Sequence, residues 1–289
     1  MSLTNKIPSV NYHLWEPCNM RCKFCFATFQ DVKQSILPKG HLPEKEAIQV
    51  VHALADIGFD KITFAGGEPL LCPWLGSLIK EAHHRGLTTM IVSNGSCLTK
   101  EWLEKHQNIL DWITLSIDSL NPSSNLKTGR AIVGKKVLTT EYYSQVIEHI
   151  HQLGFRLKIN TVVSSVNYLE DMAAFIQQSK PERWKLFQVL PIQGQNDACV
   201  DQFLINQTQF NTFVQRHQGK QLSIPIVAEN NQLMTASYAM VDPAGRFFDN
   251  SKGHYTYSDK ILDVGPEVAY QQVVVDSNIF AEREGQYDW

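Results

Sequence analysis

Between residues 10 and 191 the chain repeats one local pattern, and that repeat limits the fold more than any other feature. Short apolar, β-branched runs alternate with amphipathic helical runs, several of which stop at a glycine. "VNYHLW" (10–15) reads as a strand. In "PEKEAIQVVHALADIGF", Ala47, Ile48, Val51, Leu54 and Ala55 recur at helical spacing, Pro43 suits the first turn and Gly58 the stop. "KITFA" (61–65) is a strand. A helix with Leu75, Leu78, Ile79 and Ala82 on one face then ends at Gly86. "TTMIVS" (88–93) and "WITLSID" (112–118) are strands, "EYYSQVIEHIHQLGF" is a helix ending at Gly154, and "RLKINTVV", "NYLEDMAAFIQQS" and "RWKLFQVLP" (183–191) give strand, helix and strand. Six strands alternating with helices imply parallel βαβ units. Two more units would be needed for a closed eight-fold barrel, so the fold class expected is α/β, an open, partial (β/α)6 barrel over residues 1–191. The rhythm breaks after residue 192. "FLINQTQFNTFVQRHQ" reads as helical and "GRFFDN" as a short strand, and residues 192–289 are expected to form a C-terminal extension packed on the barrel.

The composition narrows the function. With 289 residues, 43% of them hydrophobic, the chain can bury a core, and its net charge of -3 excludes a general nucleic-acid or membrane-surface binder. The first fifteen residues lack the apolar run of a secretory signal, and no window of about 18 apolar residues exists. Six cysteines without an export signal point to a reducing compartment, hence a cytoplasmic protein.

Active sites of parallel α/β barrels form where the strands end. Four unusual segments fall there: Cys18, Cys22 and Cys25 after the first strand, "GGEP" (66–69) after the second, "SNGS" (93–96) after the third and "SIDS" (116–119) closing the fourth. The spacing C-x3-C-x2-C supplies three thiols where structural zinc prefers four ligands, normally as two separated pairs. No second C-x-x-C exists, and Cys72, Cys97 and Cys199 are isolated, so they read as ordinary thiols. His83, His84, His149 and His151 read as helix-surface residues. An iron–sulfur cluster held by three thiolates leaves one iron open to a small molecule. Adjacent glycines at Gly66 and Gly67 permit close backbone approach, and Glu68 beside them can hold an ammonium group. Trp15, Phe24, Phe26 and Phe29 around the cysteines are expected to pack and exclude water. Basic residues recur near strand ends: Lys61, Arg130, Lys135, Lys136, Lys158, Arg183 and Lys185. Lys158 and Asn160 share one strand face, as do Arg183 and Lys185. Cations inside a barrel strand imply an anion to meet them, here a polyphosphate.

The cysteine spacing and the GGEP turn resemble the radical S-adenosylmethionine (SAM) superfamily. "SVNYHLWEPCNMRCKFCF", "KITFAGGEP", "IVSNGS", "KINTVV", "PERWKLFQ", "ILDVG" and "REGQYDW" together resemble the viperin family in the same order, and its prokaryotic members in particular. The resemblance implies a [4Fe–4S] cluster on Cys18, Cys22 and Cys25, with the amine and carboxylate of SAM on the fourth iron. It implies Gly66, Gly67 and Glu68 at the SAM amine, Asn94 at the SAM ribose, and Ser116 and Arg130 at its carboxylate. Lys61, Lys158, Arg183 and Lys185 would form the triphosphate set, with Asn11 and Asn160 on ribose or phosphate. Tyr238 would lie near the ribose and supply a hydrogen to the product radical. The C-terminal extension would close the substrate site. The activity implied is antiviral dehydration of a nucleoside triphosphate (CTP, UTP or GTP). A 5′-deoxyadenosyl radical takes the ribose 4′ hydrogen, the 3′ hydroxyl leaves as water, and a 3′-deoxy-3′,4′-didehydro nucleotide results. An electron donor such as a flavodoxin-type reductant is implied, with no nucleic-acid or membrane partner, because the chain starts at the catalytic core. The alternatives are another radical SAM enzyme with a different substrate and a non-catalytic nucleotide- or metal-binding sensor.

Overall fold

The computed structural model describes residues 6–37, 39–220 and 222–289. Eleven helices and ten strands are named here in chain order. Strand β1 (Ser9–Trp15) is followed by α1 (Glu44–Asp56), β2 (Lys61–Gly66), α2 (Leu75–His84), β3 (Thr88–Ser93), α3 (Lys100–His106) and β4 (Trp112–Ser116). Then come α4 (Pro122–Thr128), α5 (Thr140–Gln152), β5 (Arg156–Val163), α6 (Ala173–Ser179) and β6 (Arg183–Gln188). The remainder is α7 (Gln207–Gln218), β7 (Ile226–Glu229), α8 (Asn231–Met234), β8 (Ala239–Val241), β9 (Arg246–Asp249), β10 (Thr256–Lys260), α9 (Ile261–Val264), α10 (Pro266–Gln271) and α11 (Ser277–Glu282).

Local signals set these boundaries. Thr99, Asn121 and Thr139 cap α3, α4 and α5 by accepting N–H bonds on their side chains, and Asn206 with Gln209 forms a capping box on α7. The apolar stripes of α1 and α2 face inward, burying Val50, Val51, Leu54, Leu75, Leu78 and Ile79. The helix expected over 167–179 is shorter than its periodicity suggests. Asn167 is drawn into the barrel wall instead. Its Oδ1 accepts from the N–H of Ser164 at 2.7 Å, and its Nδ2 donates to the carbonyls of Asp118 at 2.6 Å and Val162 at 2.9 Å. This clamp holds the chain out of helical geometry until α6.

One sheet runs in the order β10-β9-β8-β1-β2-β3-β4-β5-β6-β7. Strands β1 to β6 pair in parallel in sequence order, the open barrel core expected from the repeat. Beyond residue 192 there is more strand than the sequence suggests. β7 adds in parallel to β6, and β8 adds in parallel to β1, with β9 and β10 antiparallel beyond it. These strands have three to five residues, too few for an alternation to register. β7 and β8 are not paired, so the barrel stays open along that seam. Side chains bridge it, since the Tyr238 hydroxyl donates to the Glu229 carboxylate.

The cysteine loop that follows β1 is clamped from three sides. Against the GGEP turn, the N–H of Gly67 donates to the Trp15 carbonyl at 2.5 Å and that of Glu68 to Pro17 at 3.0 Å. Against the end of α4, the N–H groups of Arg21 and Lys23 donate to the carbonyls of Gly129 and Thr128 at 3.2 and 2.8 Å. From the SNGS loop, Asn94 Nδ2 donates to Asn19 Oδ1 at 2.9 Å. A Cβ on Gly67 would lie 2.2 Å from the Glu16 carbonyl oxygen and 2.4 Å from that of Pro17. The backbones meet there too closely for any side chain. Gly67→Ala is therefore expected to lower stability by about 2 kcal/mol or more, because backbone rather than a flexible side chain must move. Urea unfolding of the purified variant checks this, and an unchanged midpoint would contradict it.

Candidate active site: a cavity running down the barrel

A cavity of about 280 Å³ occupies the barrel interior, and the three cysteines, both glycines of the GGEP turn, and the strand-borne lysines Lys61, Lys158 and Lys185 all line it. The cysteines sit past the C-terminal end of β1, whereas Lys61 opens β2 at the opposite end. From Lys61 to Gly66 the strand covers about 17 Å at ~3.3 Å per residue. The cavity is thus long enough to present different chemistry at its two ends.

At the upper end, Cys18, Cys22 and Cys25 are free of disulfides and half-buried. Burial pushes the thiols up, Cys18 to about 11 and Cys25 to about 12. A cation bound to them reverses that sign, because ligation deprotonates a thiol. Among the described residues, no three His, Cys, Asp or Glu side chains are close enough to share one metal ion. Cys18, Cys22 and Cys25 all line the cavity, and thiolates are the usual ligands of iron–sulfur groups. Gly66, Gly67, Ser93, Asn94, Ser116 and Arg130 line the adjoining wall.

Arg130 is anchored by a residue that sequence reasoning missed. Its Nε donates to Asp118 Oδ2 at 2.7 Å, and Asp118 is itself fixed by the N–H of Val162 at 2.8 Å. Glu68 does not reach the cavity. Its oxygens accept from Ser93 Oγ at 2.8 Å, from the N–H of Asn94 at 2.8 Å and from that of Leu70 at 3.2 Å. Burial pushes its carboxyl up to about 7 against those bonds. It braces the loops on either side of it.

Parallel register assembles the middle of the cavity: Ser116, Asn160 and Lys185 are direct neighbours across β4, β5 and β6. Asn11 pairs with Thr63 across β1 and β2, and both line the same space. Two buried polar atoms here lack partners, Asn160 Oδ1 and His13 Nδ1. Buried polar atoms are rarely left so, which marks a place for a ligand. Burial holds His13 down at about 4, so its imidazole is neutral.

The lower end is a cation cage. Lys61, Lys158 and Lys185 are all buried, and Arg283 joins them. Arg183 is buried beside them but does not line the cavity. Its Nη2 donates to the Glu284 carbonyl at 2.6 Å, and its guanidinium lies 4.4 Å from the Tyr287 ring centroid. One buried carboxylate, Glu229, faces these cations, paired with Lys185 and, at 3.4 Å, with Arg283. Although burial raises it, Lys185 and Arg283 hold the Glu229 carboxyl below its ordinary range. Burial and the neighbouring cations push Lys61 and Lys158 well below the ordinary lysine range, and burial brings Lys185 to about 8. Tyr238 lines the cavity within this group. It accepts from Lys185 Nζ at 3.2 Å, and the Arg283 guanidinium stacks 3.6 Å from its ring centroid.

The C-terminal tail covers this end. Lys61 Nζ donates to the Tyr287 hydroxyl at 2.8 Å and lies 4.4 Å from the Trp289 ring centroid, and Arg156 Nη2 donates to the Asp288 carbonyl at 3.0 Å. Of the other residues singled out in the sequence, Lys135 and Lys136 are exposed and away from the cavity. Cys72 is buried in the core, and Cys97 and Cys199 are half-buried outside the cavity. Among the histidines, His83, His84 and His151 are exposed and His149 is half-buried. Glu229, Arg283 and Tyr287 had one sequence signal each: a lone carboxylate ending the apolar run "IVAE", and the closing "REGQYDW".

Comparison with known proteins agrees with this geometry. Residues 14–178 match the Radical SAM superfamily. The S-adenosylmethionine-dependent nucleotide dehydratase of Flammeovirga pacifica is 53% identical, over 100% of this chain and 98% of its own length. That of Lacinutrix mariniflava is 55% identical over 99% of this chain, which spans only 59% of that longer protein. The Oncorhynchus mykiss S-adenosylmethionine-dependent nucleotide dehydratase is 36% identical, covering 97% of this chain and 80% of its own. A solved structure of anSMEcpe with bound AdoMet and Kp18Cys peptide shares the fold, with TM-score 0.69 and 13% identity over 95% of this chain and 82% of the other. With more than half of the chain matching the superfamily and relatives matching along its full length, the chain belongs to the radical SAM superfamily and, within it, to the S-adenosylmethionine-dependent nucleotide dehydratases, the viperin family.

Proposed function

We propose that this protein dehydrates the ribose of a nucleoside triphosphate, CTP, UTP or GTP, to the 3′-deoxy-3′,4′-didehydro nucleotide, in antiviral defence. The observation that carries this reading is the cation cage, in which Lys61, Lys158, Lys185 and Arg283 line the cavity and one buried carboxylate, Glu229, is paired with Lys185 and Arg283. A triphosphate supplies the missing negative charge. The cofactors are a [4Fe–4S] cluster and SAM. Cys18, Cys22 and Cys25 would hold the cluster, which together with SAM would supply the hydrogen-abstracting chemistry.

The chain's own residues bind, orient and exclude water. In this reading Gly66 and Gly67 present backbone to the SAM amine with Glu68 bracing them, and Asn94, Ser116 and Arg130 meet the ribose and carboxylate of SAM. Asn11 and Asn160 orient the substrate ribose between the two ends. Lys61, Lys158 and Lys185 bind the phosphates, and Arg183 supports the tail beneath them. Tyr238, hydrogen-bonded to Glu229, stands where it can return a hydrogen to the product. Residues 192–289 close the substrate site through Tyr238, Arg283 and Tyr287, while residues 1–191 form the radical-generating core. A flavodoxin-type reductant supplies the electron, in the cytoplasm, with no nucleic-acid or membrane partner in the reaction. No described helix is long and apolar enough to cross a membrane.

The direct test is anaerobic reconstitution of the cluster, followed by dithionite, SAM and each triphosphate in turn. The expected result is 5′-deoxyadenosine together with a nucleotide lighter by one water for at least one of CTP, UTP and GTP. Absence of stimulation by all of them contradicts the substrate assignment. The depressed lysines add a pH signature. Lys185 titrates near 8 in the free protein, and a bound polyanion raises it. Binding at pH 8 is therefore expected to take up protons, and affinity to fall as pH rises through 8. Calorimetry in buffers of different ionisation enthalpy reads the uptake directly, and proton release on binding contradicts it.

A further inference from the structure

The two segments packed against each other at the cysteine loop, residues 17–30 and 119–140, hold six cations and no Asp or Glu. The rest of the chain is acidic on balance, with all 29 Asp and Glu against 20 Lys and Arg. Of the six, Arg130 turns inward to Asp118. The other five, Arg21, Lys23, Lys127, Lys135 and Lys136, are exposed. The backbone bonds of Arg21 and Lys23 to Gly129 and Thr128, and of the Val133 N–H to the Asn19 carbonyl at 2.7 Å, hold the two cation-bearing segments side by side. Lys23 stands between Cys22 and Cys25, one residue, about 3.8 Å of backbone, from the first of them.

Val133 is the second observation. It is 66% exposed, and Leu126 beside Lys127 is 46% exposed. Val133 and Gly134 are the central residues of a tight turn closed by the Lys135 N–H on the Ile132 carbonyl at 3.0 Å, with φ of 51° and 71°. Such turns favour Asn or Asp followed by Gly, and a β-branched residue there is strained. Neither burial nor a side-chain hydrogen bond repays that strain. A strained apolar tip followed directly by two exposed lysines has the composition of a small, charge-steered interface.

We infer that this face, formed by Arg21, Lys23, Lys127, Lys135, Lys136 and the Val133 tip, is the docking surface for an acidic one-electron carrier protein. The inference rests on the radical SAM reading, which requires one electron per cleavage. The carrier is oxidised by one electron and the iron–sulfur centre reduced by one, with no atom transferred. The lysines attract the carrier's carboxylates, and the Val133 tip gives a dry contact at the centre. Electron-transfer encounters of this kind bury little area, under ~1,200 Å², and dissociate readily.

The test uses full-length reconstituted protein and a bacterial flavodoxin as the probe. Two variants are compared with the parent: Lys127→Glu/Lys135→Glu/Lys136→Glu, which reverses the charge outside the cavity, and Val133→Asn, which suits the turn and is expected to keep or raise thermal stability. Calorimetry with oxidised flavodoxin measures docking without turnover. The parent is expected to bind more weakly as salt rises from 50 to 300 mM. The triple variant should lose at least tenfold in affinity and in flavodoxin-driven 5′-deoxyadenosine formation, while dithionite-driven formation stays within twofold. Val133→Asn should weaken docking about threefold. Unchanged flavodoxin affinity in both variants overturns the proposal, as does a parallel loss of dithionite-driven activity in the triple variant. Tighter, flavodoxin-excluding binding of RNA or anionic vesicles to this face also overturns it. A parent inactive with dithionite and SAM counts instead against the enzyme reading, and the docking measurement still stands apart from it.

Discussion

Everything in the lower half of the barrel answers to one constraint, the positive charge gathered in a space that water reaches poorly. Lys61, Lys158 and Lys185 are each under a tenth exposed, and bare ammonium groups do not persist in such places without anions. The protein makes partial provision. Glu229 pairs with Lys185 and Arg283, and the Tyr287 and Trp289 rings lie over Lys61. Cation–π contacts of this kind contribute about 0.5–2 kcal/mol each, too little to replace hydration of several charges. Burial and the neighbouring cations weaken the hold of Lys61 and Lys158 on their protons. A polyanion is the ligand that removes this conflict. The arrangement therefore selects for phosphate count before it selects for base.

The upper half is governed by backbone proximity. Gly66, Gly67 and Gly129 lie so close to the chain around the cysteines that a Cβ on any of them would meet a carbonyl oxygen at 2.0–2.3 Å. The cysteine loop is thereby held without regular structure of its own, between the GGEP turn, the end of α4 and the SNGS loop. Rigid support of this kind fixes three thiols for a group that must sit within reach of SAM and substrate. The same packing sets Lys127, Val133, Lys135 and Lys136 at the surface beside the cysteine loop, so the proposed docking face is built by the clamp itself.

Much of this was legible in the sequence because it is written in local periodicity and spacing. The strands over 88–93 and 156–163 match the structure residue for residue, and Gly58, Gly86 and Gly154 adopt the positive φ that a helix stop requires. The four strand-end segments do meet around one cavity. Less legible were features that depend on distant partners. Glu68 reads as a ligand for an ammonium group, yet its carboxylate is taken up by Ser93, Asn94 and Leu70, which nothing in the turn's own sequence indicates. Lys135 and Lys136 read as strand-end cations like Lys61, and only the tight turn at Val133–Gly134 reveals that they leave the barrel. Glu229 and Arg283 come from a four-residue strand and the closing segment, where a lone carboxylate after "IVA" and an arginine in "REGQYDW" are too short a signal to pair them across the cage.

The most direct measurement of the central claim is the affinity of the protein for one nucleoside as its tri-, di- and monophosphate, at fixed salt and pH. Charge matching in the cage predicts a stepwise loss as phosphates are removed, at least tenfold from triphosphate to monophosphate, with the largest share lost again in Lys158→Met. Equal affinities for the three forms would contradict the account, because the buried cations would then be meeting something other than the phosphate chain.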